Sequence, residues 1–153
     1  MPEPYLDDRA NLDGMHVKMM CRLDCLPVMD RVGRERDPKW PKASRTCLAC
    51  DQQALETVEH FVMECPRYAA QRALLMRDIG NRLPPFRSMT DTDKCRIILG
   101  RRAGDPRVDN AIDRMAKRRL KKFWNLRAPI SRAVNNALQT NYWISGPLFK
   151  ECG

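Results

Sequence analysis

Three cysteines and one histidine, spaced C-x2-C-x9-H-x4-C, constrain the fold of this chain more than any other feature of its sequence. They are Cys47, Cys50, His60 and Cys65. Structural zinc sites take four tetrahedral ligands from thiolates and imidazoles, and this set supplies three sulfurs and one nitrogen. Because four protein ligands leave no coordination position for water, we predict one structural Zn²⁺ that contributes directly to folding.

Other interpretations of the cysteines remain open. The Cys47–Cys50 pair could be redox-active, although no strand–helix context of a thioredoxin-like site surrounds it, and all four side chains could be buried without a metal. Asp51 and Glu64 are expected to supply local charge and to orient ligands rather than to bind the ion. The chain has seven cysteines, and this odd number without a recognisable secretory signal argues against a disulfide framework. We therefore expect a reducing, intracellular location: the nucleus, the cytoplasm or an organelle.

The pattern of apolar residues predicts a mostly α fold, a small helical domain organised around the zinc site. Helical spacing, together with bounding prolines and glycines, predicts helices over residues 12–24, 27–33, 66–83, 91–99, 106–126 and 130–140. Asp91 or Thr92 is the predicted N-cap of the fourth helix, and Ala128-Pro129 is predicted to end the fifth. Residues 34–46 are predicted to form a connecting loop in which Trp40 covers the core, with base stacking as the alternative. The candidate buried residues of the longer helices are Tyr68, Ala69, Leu74, Leu75, Ile79, Val108, Ile112, Met115, Ala116, Phe123 and Leu126.

These elements divide the chain into four predicted segments. They are an N-terminal arm (1–14), a helical zinc-binding domain (15–83, with its zinc knuckle at 47–65), a basic helical region (84–140) and a docking tail (141–153). The tail is given that role because it holds four large apolar residues, which suit docking onto the domain or onto a partner. Those residues are Tyr142, Trp143, Leu148 and Phe149.

Positive charge is concentrated in the C-terminal part of the sequence. Residues 1–93 contain 14 Lys and Arg against 15 Asp and Glu, whereas residues 94–153 contain 14 against 4. On a helical wheel of residues 106–126 most basic side chains gather opposite the apolar face, while Arg119 falls among the apolar positions and is expected to snorkel or pair. Such a stripe favours RNA or DNA, bound through backbone phosphates, and the alternative is a solvated helix face. The candidate nucleic-acid contacts are Arg107, Arg114, Lys117, Arg118, Lys121 and Lys122.

Enzymatic activity and a membrane location are not expected. No nucleophile–base pair or open metal site is evident, so we predict neither catalysis nor a small-molecule substrate. The run Tyr5-Leu6-Asp7-Asp8 matches the Y-x-D-D pattern of reverse-transcriptase active sites. A two-metal polymerase needs a further carboxylate from an earlier strand, so we interpret the match as coincidental. No run of 18 apolar residues occurs, and no membrane span is expected.

The residues in and around the zinc motif resemble a known family. CLAC at 47–50, ETVEHF at 56–61 and ECPRY at 64–68 are similar to the zinc-binding C-terminal tail of non-LTR retrotransposon reverse-transcriptase polyproteins. RLDCLPVMDRVGR at 22–34 is similar to the leucine- and arginine-rich helices that precede that tail. The resemblance covers residues 15–82 and extends more loosely to residue 127. It implies zinc ligation by the C-C-H-C set and a role near template RNA or target DNA during target-primed reverse transcription.

Two functions from different classes follow from these features. The first is a non-catalytic zinc-binding module derived from a retroelement protein, without its polymerase domain, that holds RNA or DNA backbones through a basic helix. The second is a structural zinc-containing subunit of a large protein or ribonucleoprotein assembly. In that case the zinc fold is a scaffold, and the tail and the basic helix are docking surfaces.

Overall fold

Helices make up most of the part of the chain that the structure, a computed structural model, describes. This part comprises residues 12–141, with the side chains of residues 13–133. Its α-helices are α1 (Leu12–Arg22), α2 (Met29–Arg34), α3 (Ala69–Arg82), α4 (Asp91–Ile98) and α5 (Pro106–Asn141). Short 3-10 turns lie at Lys42–Ser44, Pro66–Tyr68 and Pro84–Ser88, and a π-helical segment at His60–Glu64. The predicted mostly helical fold is confirmed.

The core is organised by α5, which packs against α1 and α3. Phe123 of α5 stacks on Tyr68 with ring centroids 5.4 Å apart, and Phe61 meets Tyr68 edge-on at 5.1 Å. Buried residues from both sides of position 83 belong to one hydrophobic cluster, so the segment that carries the metal motif and α5 share a core. The buried apolar residues of α5 recur at helical spacing: Ile112, Ala116, Leu120 and Phe123.

The C-terminal end of α5 differs from the prediction. Pro129 lies inside a helix of 36 residues, so the predicted stop at Ala128-Pro129 and the separate helix at 130–140 are wrong. Proline removes one backbone N–H and disfavours a helical turn without forbidding it. Arg127 Nη1 donates to Ser131 Oγ at 2.9 Å across this same turn. As a result α5 continues as a single rod, about 54 Å long at 1.5 Å per residue.

Local groups fix both ends of α4. Thr90 is the N-cap, with its Oγ1 accepting from the Asp93 backbone N–H at 3.2 Å. The predicted caps, Asp91 and Thr92, are therefore wrong, because Thr90 is the residue with the extended backbone that an N-cap requires. After the helix, Gly100 adopts a φ of +119°, a conformation that glycine accepts without steric cost.

Two residues predicted to be buried, Ala69 and Leu126, are exposed. At 100° per residue, each is turned by about 80–100° from the centre of the buried face of its helix. Leu120, which the sequence prediction left out of the apolar face, is completely buried. The spacing of apolar residues therefore predicted which side of each helix is buried. How many residues at the edges of that side are also buried depends on the neighbouring helices.

Trp40 lies beside α2 and is half-buried. Its backbone N–H donates to Gly33 O at 3.0 Å, and the Arg36 guanidinium lies 5.5 Å from the centre of its ring. Gly33, the last residue of the second predicted helix, lies within α2, which ends at Arg34. The Arg36 guanidinium thus lies over the Trp40 ring, and a cation in this position is attracted to the face of an aromatic ring.

The predicted tail residues Tyr142, Trp143, Leu148 and Phe149 lie outside the described residues, as does most of the predicted N-terminal arm. In the part of the chain between residues 12 and 141, no helix combines the length and the apolar character that crossing a bilayer requires.

Candidate metal centre

Cys47 and Cys50 lie in a tight turn that an antiparallel pairing closes. Thr46 and Leu55 form an isolated antiparallel bridge at the base of this turn. Within it, the Ala49 N–H donates to Cys47 Sγ at 3.4 Å. A backbone donor at this distance favours the thiolate form of the cysteine. The Cys47 sulfur in this turn therefore accepts the kind of backbone hydrogen bond that stabilises a metal-binding thiolate.

His60 and Cys65 come from the segment that follows. Thr57 Oγ1 accepts from the His60 backbone N–H at 3.0 Å, in the manner of a helix cap. The Cys65 N–H then donates to His60 O at 2.8 Å, which is the five-residue spacing of a π-helix. Pro66 begins the next turn. This wide turn brings the imidazole and the thiol of residues five apart toward one point.

The four predicted ligands meet in space. Their ligand atoms all lie within 4.8 Å of one another. Cys47 Sγ is 3.8 Å from Cys65 Sγ, and Cys50 Sγ is 3.6 Å from His60 Nε2. Cys47, His60 and Cys65 are buried, and Cys50 is partly exposed. The arrangement could hold one metal ion, and the predicted grouping of these four residues is confirmed.

Burial raises the pKa of the Cys47 and Cys65 thiols, and the Glu56 carboxylate adds to the rise at Cys47. The backbone N–H groups of Ala49 and Arg67 act in the opposite direction. A divalent cation bound between the sulfurs would offset the cost of burying thiolates, and its binding would release the thiol protons.

Glu64 contacts the imidazole of His60, one of the four candidate ligands. Its Oε2 lies 3.2 Å from His60 Nδ1, while Nε2 of the same ring faces Cys50. A carboxylate on the far ring nitrogen fixes the tautomer and the ring plane of a metal-binding histidine. Asp51 is exposed and is not among the clustered ligand atoms. Both residues therefore lie where the sequence predicted, beside the site rather than in it.

Arg72 of α3 ties the end of the π-helical segment to the rest of the fold. Its guanidinium donates to Cys65 O at 2.6 Å and to Val62 O at 3.5 Å. Burial lowers the pKa of Arg72, with the Cys65 thiol and nearby carboxylates acting against that shift. The contact holds the Cys65 backbone in place, and apolar periodicity gave no signal for it.

A buried ion pair joins the centre to α5. Arg127 Nε and Nη2 donate to Glu56 Oε1 and Oε2 at 2.7 and 2.9 Å, and the two residues are 1% and 0% exposed. Glu56 Oε2 also accepts from the Met29 N–H at 2.6 Å, and Oε1 lies 3.7 Å from Cys47 Sγ. This two-pronged arginine–carboxylate geometry is among the strongest side-chain hydrogen bonding in proteins. Glu56 therefore connects α2, α5 and Cys47, one of the candidate metal ligands.

Sequence reasoning missed Arg127 because the predicted helix ended at residue 126. Continuing the wheel by one position places Arg127 between Phe123 and Leu120, the centre of the buried face. A charged residue at such a position signals a buried partner. The partner, Glu56, lies next to Thr57 in the ETVEHF run. Glu56 forms the ion pair with Arg127, and Thr57 accepts the hydrogen bond from the His60 backbone.

The predicted cations of α5 do not all lie on one exposed face. Arg107, Arg114, Arg118 and Lys122 are exposed. Lys117, in contrast, is completely buried, so the prediction that it belongs to the exposed stripe is wrong.

Lys117 is buried because it belongs to a charge cluster between α1 and α5. Lys117 Nζ lies 2.6 Å from Asp113 Oδ2, and Lys18 Nζ lies 2.6 Å from Asp113 Oδ1. Burial lowers the pKa of Lys18, against the pull of Asp113. Asp113 stands one helical turn before Lys117, so the same packing that buries the carboxylate buries both ammonium groups.

Two further cations of α5 have carboxylate partners. Lys121 is partly exposed and pairs with Asp13 at 2.9 Å. Arg119 lies 3.6 Å from Asp78 and donates to Gln71 at 3.1 Å, which confirms that it pairs. The positive charges of these two side chains are therefore partly neutralised by Asp13 of α1 and Asp78 of α3.

No protein-family model, no curated protein and no solved structure matches this chain. Three features of the chain itself bear on its function: the four clustered candidate ligands, the buried ion pair and the exposed cations of α5.

Proposed function

We propose that the chain is a non-catalytic zinc-binding module that holds RNA or DNA through the phosphate backbone. The spacing of the ligand atoms supports zinc. With zinc–sulfur and zinc–nitrogen bonds of about 2.3 and 2.0 Å, a tetrahedron places two sulfurs about 3.8 Å apart and sulfur and nitrogen about 3.5 Å apart. Two of the six separations are 3.8 Å for Cys47–Cys65 and 3.6 Å for Cys50–His60, and none of the six exceeds 4.8 Å.

A structural role for the ion follows from the number of ligands. Three thiolates and one imidazole complete the tetrahedron, which leaves no position for a reacting water or substrate. The ion would then fix the Cys47–Cys50 turn to the π-helical segment. That segment carries Phe61 and Val62, which are completely buried, so ordering it orders the core.

The observation that carries the nucleic-acid proposal is the division of the α5 cations into two groups. Of nine Lys and Arg residues in the helix, four have carboxylate partners: Lys117, Arg119, Lys121 and Arg127. The other five are exposed, and no carboxylate among the described side chains lies within ion-pair distance of them. We call these five the α5 cation row: Arg107, Arg114, Arg118, Lys122 and Arg132.

The α5 cation row has the form that a phosphate backbone requires. At 100° per residue its members fall within about 80° of one another around the helix, and from first to last they span about 38 Å. Because Pro129 does not end α5, Arg132 extends the row by about 15 Å past Lys122. Charges arranged in this way contact successive phosphates without reading base sequence.

A retroelement origin is part of the proposal and rests on the resemblance of residues 15–82 to the zinc-binding tail of non-LTR retrotransposon polyproteins. Three residues of the ETVEHF run that carries this resemblance make specific contacts in the fold. Glu56 holds α5 through Arg127, and Thr57 caps the turn that carries His60. The ETVEHF run therefore combines a core ion pair, a cap and a metal ligand within six residues.

Reversing two charges of the α5 cation row tests the nucleic-acid proposal. The variant Arg114→Glu/Arg118→Glu is expected to weaken binding to a short RNA and to a DNA duplex by more than about tenfold. The slope of log affinity against log salt should become shallower by roughly two, because two phosphate contacts are lost. Fluorescence anisotropy of the zinc-loaded protein at several salt concentrations measures both quantities.

The matched control reverses two exposed lysines of the loop after α2, Lys39→Glu/Lys42→Glu. It changes the net charge by the same amount, and the affinity should stay within about twofold of the unmodified protein. Equal losses in the two variants, or no binding by the unmodified chain, would contradict the proposal. In the latter case, sedimentation of the tagged protein in a large ribonuclease-resistant particle would favour the structural-subunit function instead.

A further inference from the structure

The helix α5 continues past Pro129, although proline weakens the turn in which it lies. Pro129 has no N–H to donate to the carbonyl of Asn125, and its ring crowds that same carbonyl. A proline in the interior of a helix therefore kinks or breaks it unless other contacts hold the turn together. In this chain α5 nevertheless extends from Pro106 to Asn141, so the contacts around Pro129 require an explanation.

Burial of α5 side chains ends just before Pro129 in the part of the helix whose side chains are described, which reaches residue 133. Arg127 is the last buried residue in this part. Ile130 and Ser131 are partly exposed, and Arg132 is exposed. An isolated helix as short as residues 130–141 is marginal in water. The continuation beyond Pro129 therefore depends on the few contacts made at the proline turn itself.

Arg127 bridges the turn that Pro129 weakens. Its Nη1 donates to Ser131 Oγ at 2.9 Å, and this bond joins two residues that lie four apart on either side of the proline. A hydrogen bond from a charged guanidinium is stronger than one between neutral groups. Side chains thus supply a bond across the turn at the place where the backbone lacks one.

The guanidinium of Arg127 is itself held by Glu56. Its Nε and Nη2 donate to the two Glu56 carboxylate oxygens at 2.7 and 2.9 Å. Because the planar fork is fixed along this edge, its bond to Ser131 costs little further side-chain entropy. Glu56 in turn accepts from the Met29 N–H at 2.6 Å and lies 3.7 Å from Cys47 Sγ. The orientation of Arg127 is therefore set by the segment that carries the candidate metal ligands.

We propose that Arg127 is a positioning residue for the α5 cation row. Its bond to Ser131 keeps α5 helical past Pro129 and thereby places Arg132 at the end of the row. The inference rests on the proposed nucleic-acid function, since it states how one end of that surface is held. If the turn at Pro129 opens, the row shortens from about 38 Å to about 22 Å, the distance from Arg107 to Lys122 along the helix.

A double-mutant cycle on the zinc-loaded full chain tests this proposal. Arg132→Gln removes the charge, Ser131→Ala removes the acceptor, and Ser131→Ala/Arg132→Gln removes both. Each single variant should weaken binding to a DNA duplex by roughly threefold and make the slope of log affinity against log salt shallower by about one. The double variant should lose no more than either single variant, because Arg132 has already left the row once the turn opens. A duplex of about 20 base pairs, at roughly 3.4 Å per pair, is longer than the row.

Pro129→Ala/Ser131→Ala is the rescue variant. Alanine at position 129 restores the backbone N–H, so α5 no longer needs the bridge, and the affinity and salt slope should return to those of the unmodified protein. Direct contact of the Ser131 hydroxyl with phosphate would not be rescued in this way. Ser44→Ala, which changes an exposed serine outside α5, is the control and should bind the duplex as the unmodified chain does.

Backbone chemical shifts measured by NMR report on the helix itself, without nucleic acid. In Ser131→Ala the Cα shifts of residues 130–141 should move toward random-coil values, while those of residues 106–126 stay helical. Pro129→Ala/Ser131→Ala should restore them. Helical shifts that persist in Ser131→Ala, or losses of affinity that add in the double variant, would overturn the proposal.

The same measurements separate a failure of this inference from a failure of the nucleic-acid function. If the unmodified chain does not bind the duplex, the nucleic-acid proposal fails and this inference fails with it. If the unmodified chain binds and Arg132→Gln weakens binding while Ser131→Ala does not, this inference alone fails.

Discussion

Replacing Cys65 with serine is expected to abolish tight zinc binding and to unfold the region 44–82. Structural zinc contributes an apparent ~10–16 kcal/mol in small metal domains at neutral pH, which is comparable with the ~5–15 kcal/mol that stabilises a whole domain. The loss should spread to the core, because Phe61 and Val62 next to the site are completely buried. Metal content by mass spectrometry and thermal unfolding by circular dichroism measure the two effects.

Cys95→Ser is the matched control for this experiment. Cys95 is a buried free thiol on α4 that lies outside the ligand cluster. This variant should keep one zinc ion per chain and lose only about 1–3 kcal/mol for burying a hydroxyl. A chelator added to the unmodified protein should reproduce the Cys65→Ser result. Full zinc content and unchanged melting in Cys65→Ser would show that the ligand set is wrong.

Replacing Arg127 with methionine is expected to destabilise the folded chain by about 3–5 kcal/mol, because it leaves a buried carboxylate without its partner. Glu56 is completely buried and accepts from both Arg127 and the Met29 backbone. Entry of water would limit the cost, but it would not replace two charge-assisted hydrogen bonds. Urea unfolding of the zinc-saturated protein measures the change.

Two further variants isolate the ion pair. Arg118→Met removes an exposed arginine from the same helix and should change stability by less than about 0.5 kcal/mol. The double variant Glu56→Gln/Arg127→Met should cost less than the sum of its single substitutions, because it buries no unpaired charge. If Arg127→Met is as mild as Arg118→Met, or if the two substitutions add, the pair does not couple the metal centre to α5.

The clustering of the four candidate ligands could be predicted from sequence because they lie within 19 residues and because their residue types are those that a zinc site takes. The helices could be predicted for the same local reason: apolar spacing and capping residues act over a few positions. Two local predictions were wrong, the N-cap of α4 and the helix end at Pro129. At the N-cap, Thr90 competes with its neighbours for the same role, and at Pro129 a side chain bridges the turn that proline weakens. Both depend on contacts that a residue type alone does not specify.

The burial of individual cations could not be predicted, because it depends on the side from which other helices approach. Leu126 and Lys117 are turned by about 80° and 100° from the centre of the buried face of α5, in opposite directions. Leu126 is exposed and Lys117 is buried, because α1 covers one flank and supplies Lys18 to the shared carboxylate of Asp113. A helical wheel makes no distinction between the two flanks of the buried face of α5. In the folded chain α1 covers the flank of Lys117, while Leu126 on the other flank is exposed.

The contact between Glu56 and Arg127 also sets an order for assembly. The metal ligands close a loop of 19 residues, whereas this ion pair joins positions 71 apart. Closing the longer loop costs about 1 kcal/mol more in chain entropy, and it requires α5 to have left the ribosome. If the four clustered residues bind a metal as proposed, the nascent chain could bind it first, and the metal-bound segment 47–65 would then offer the C-terminal helix a carboxylate already held in position.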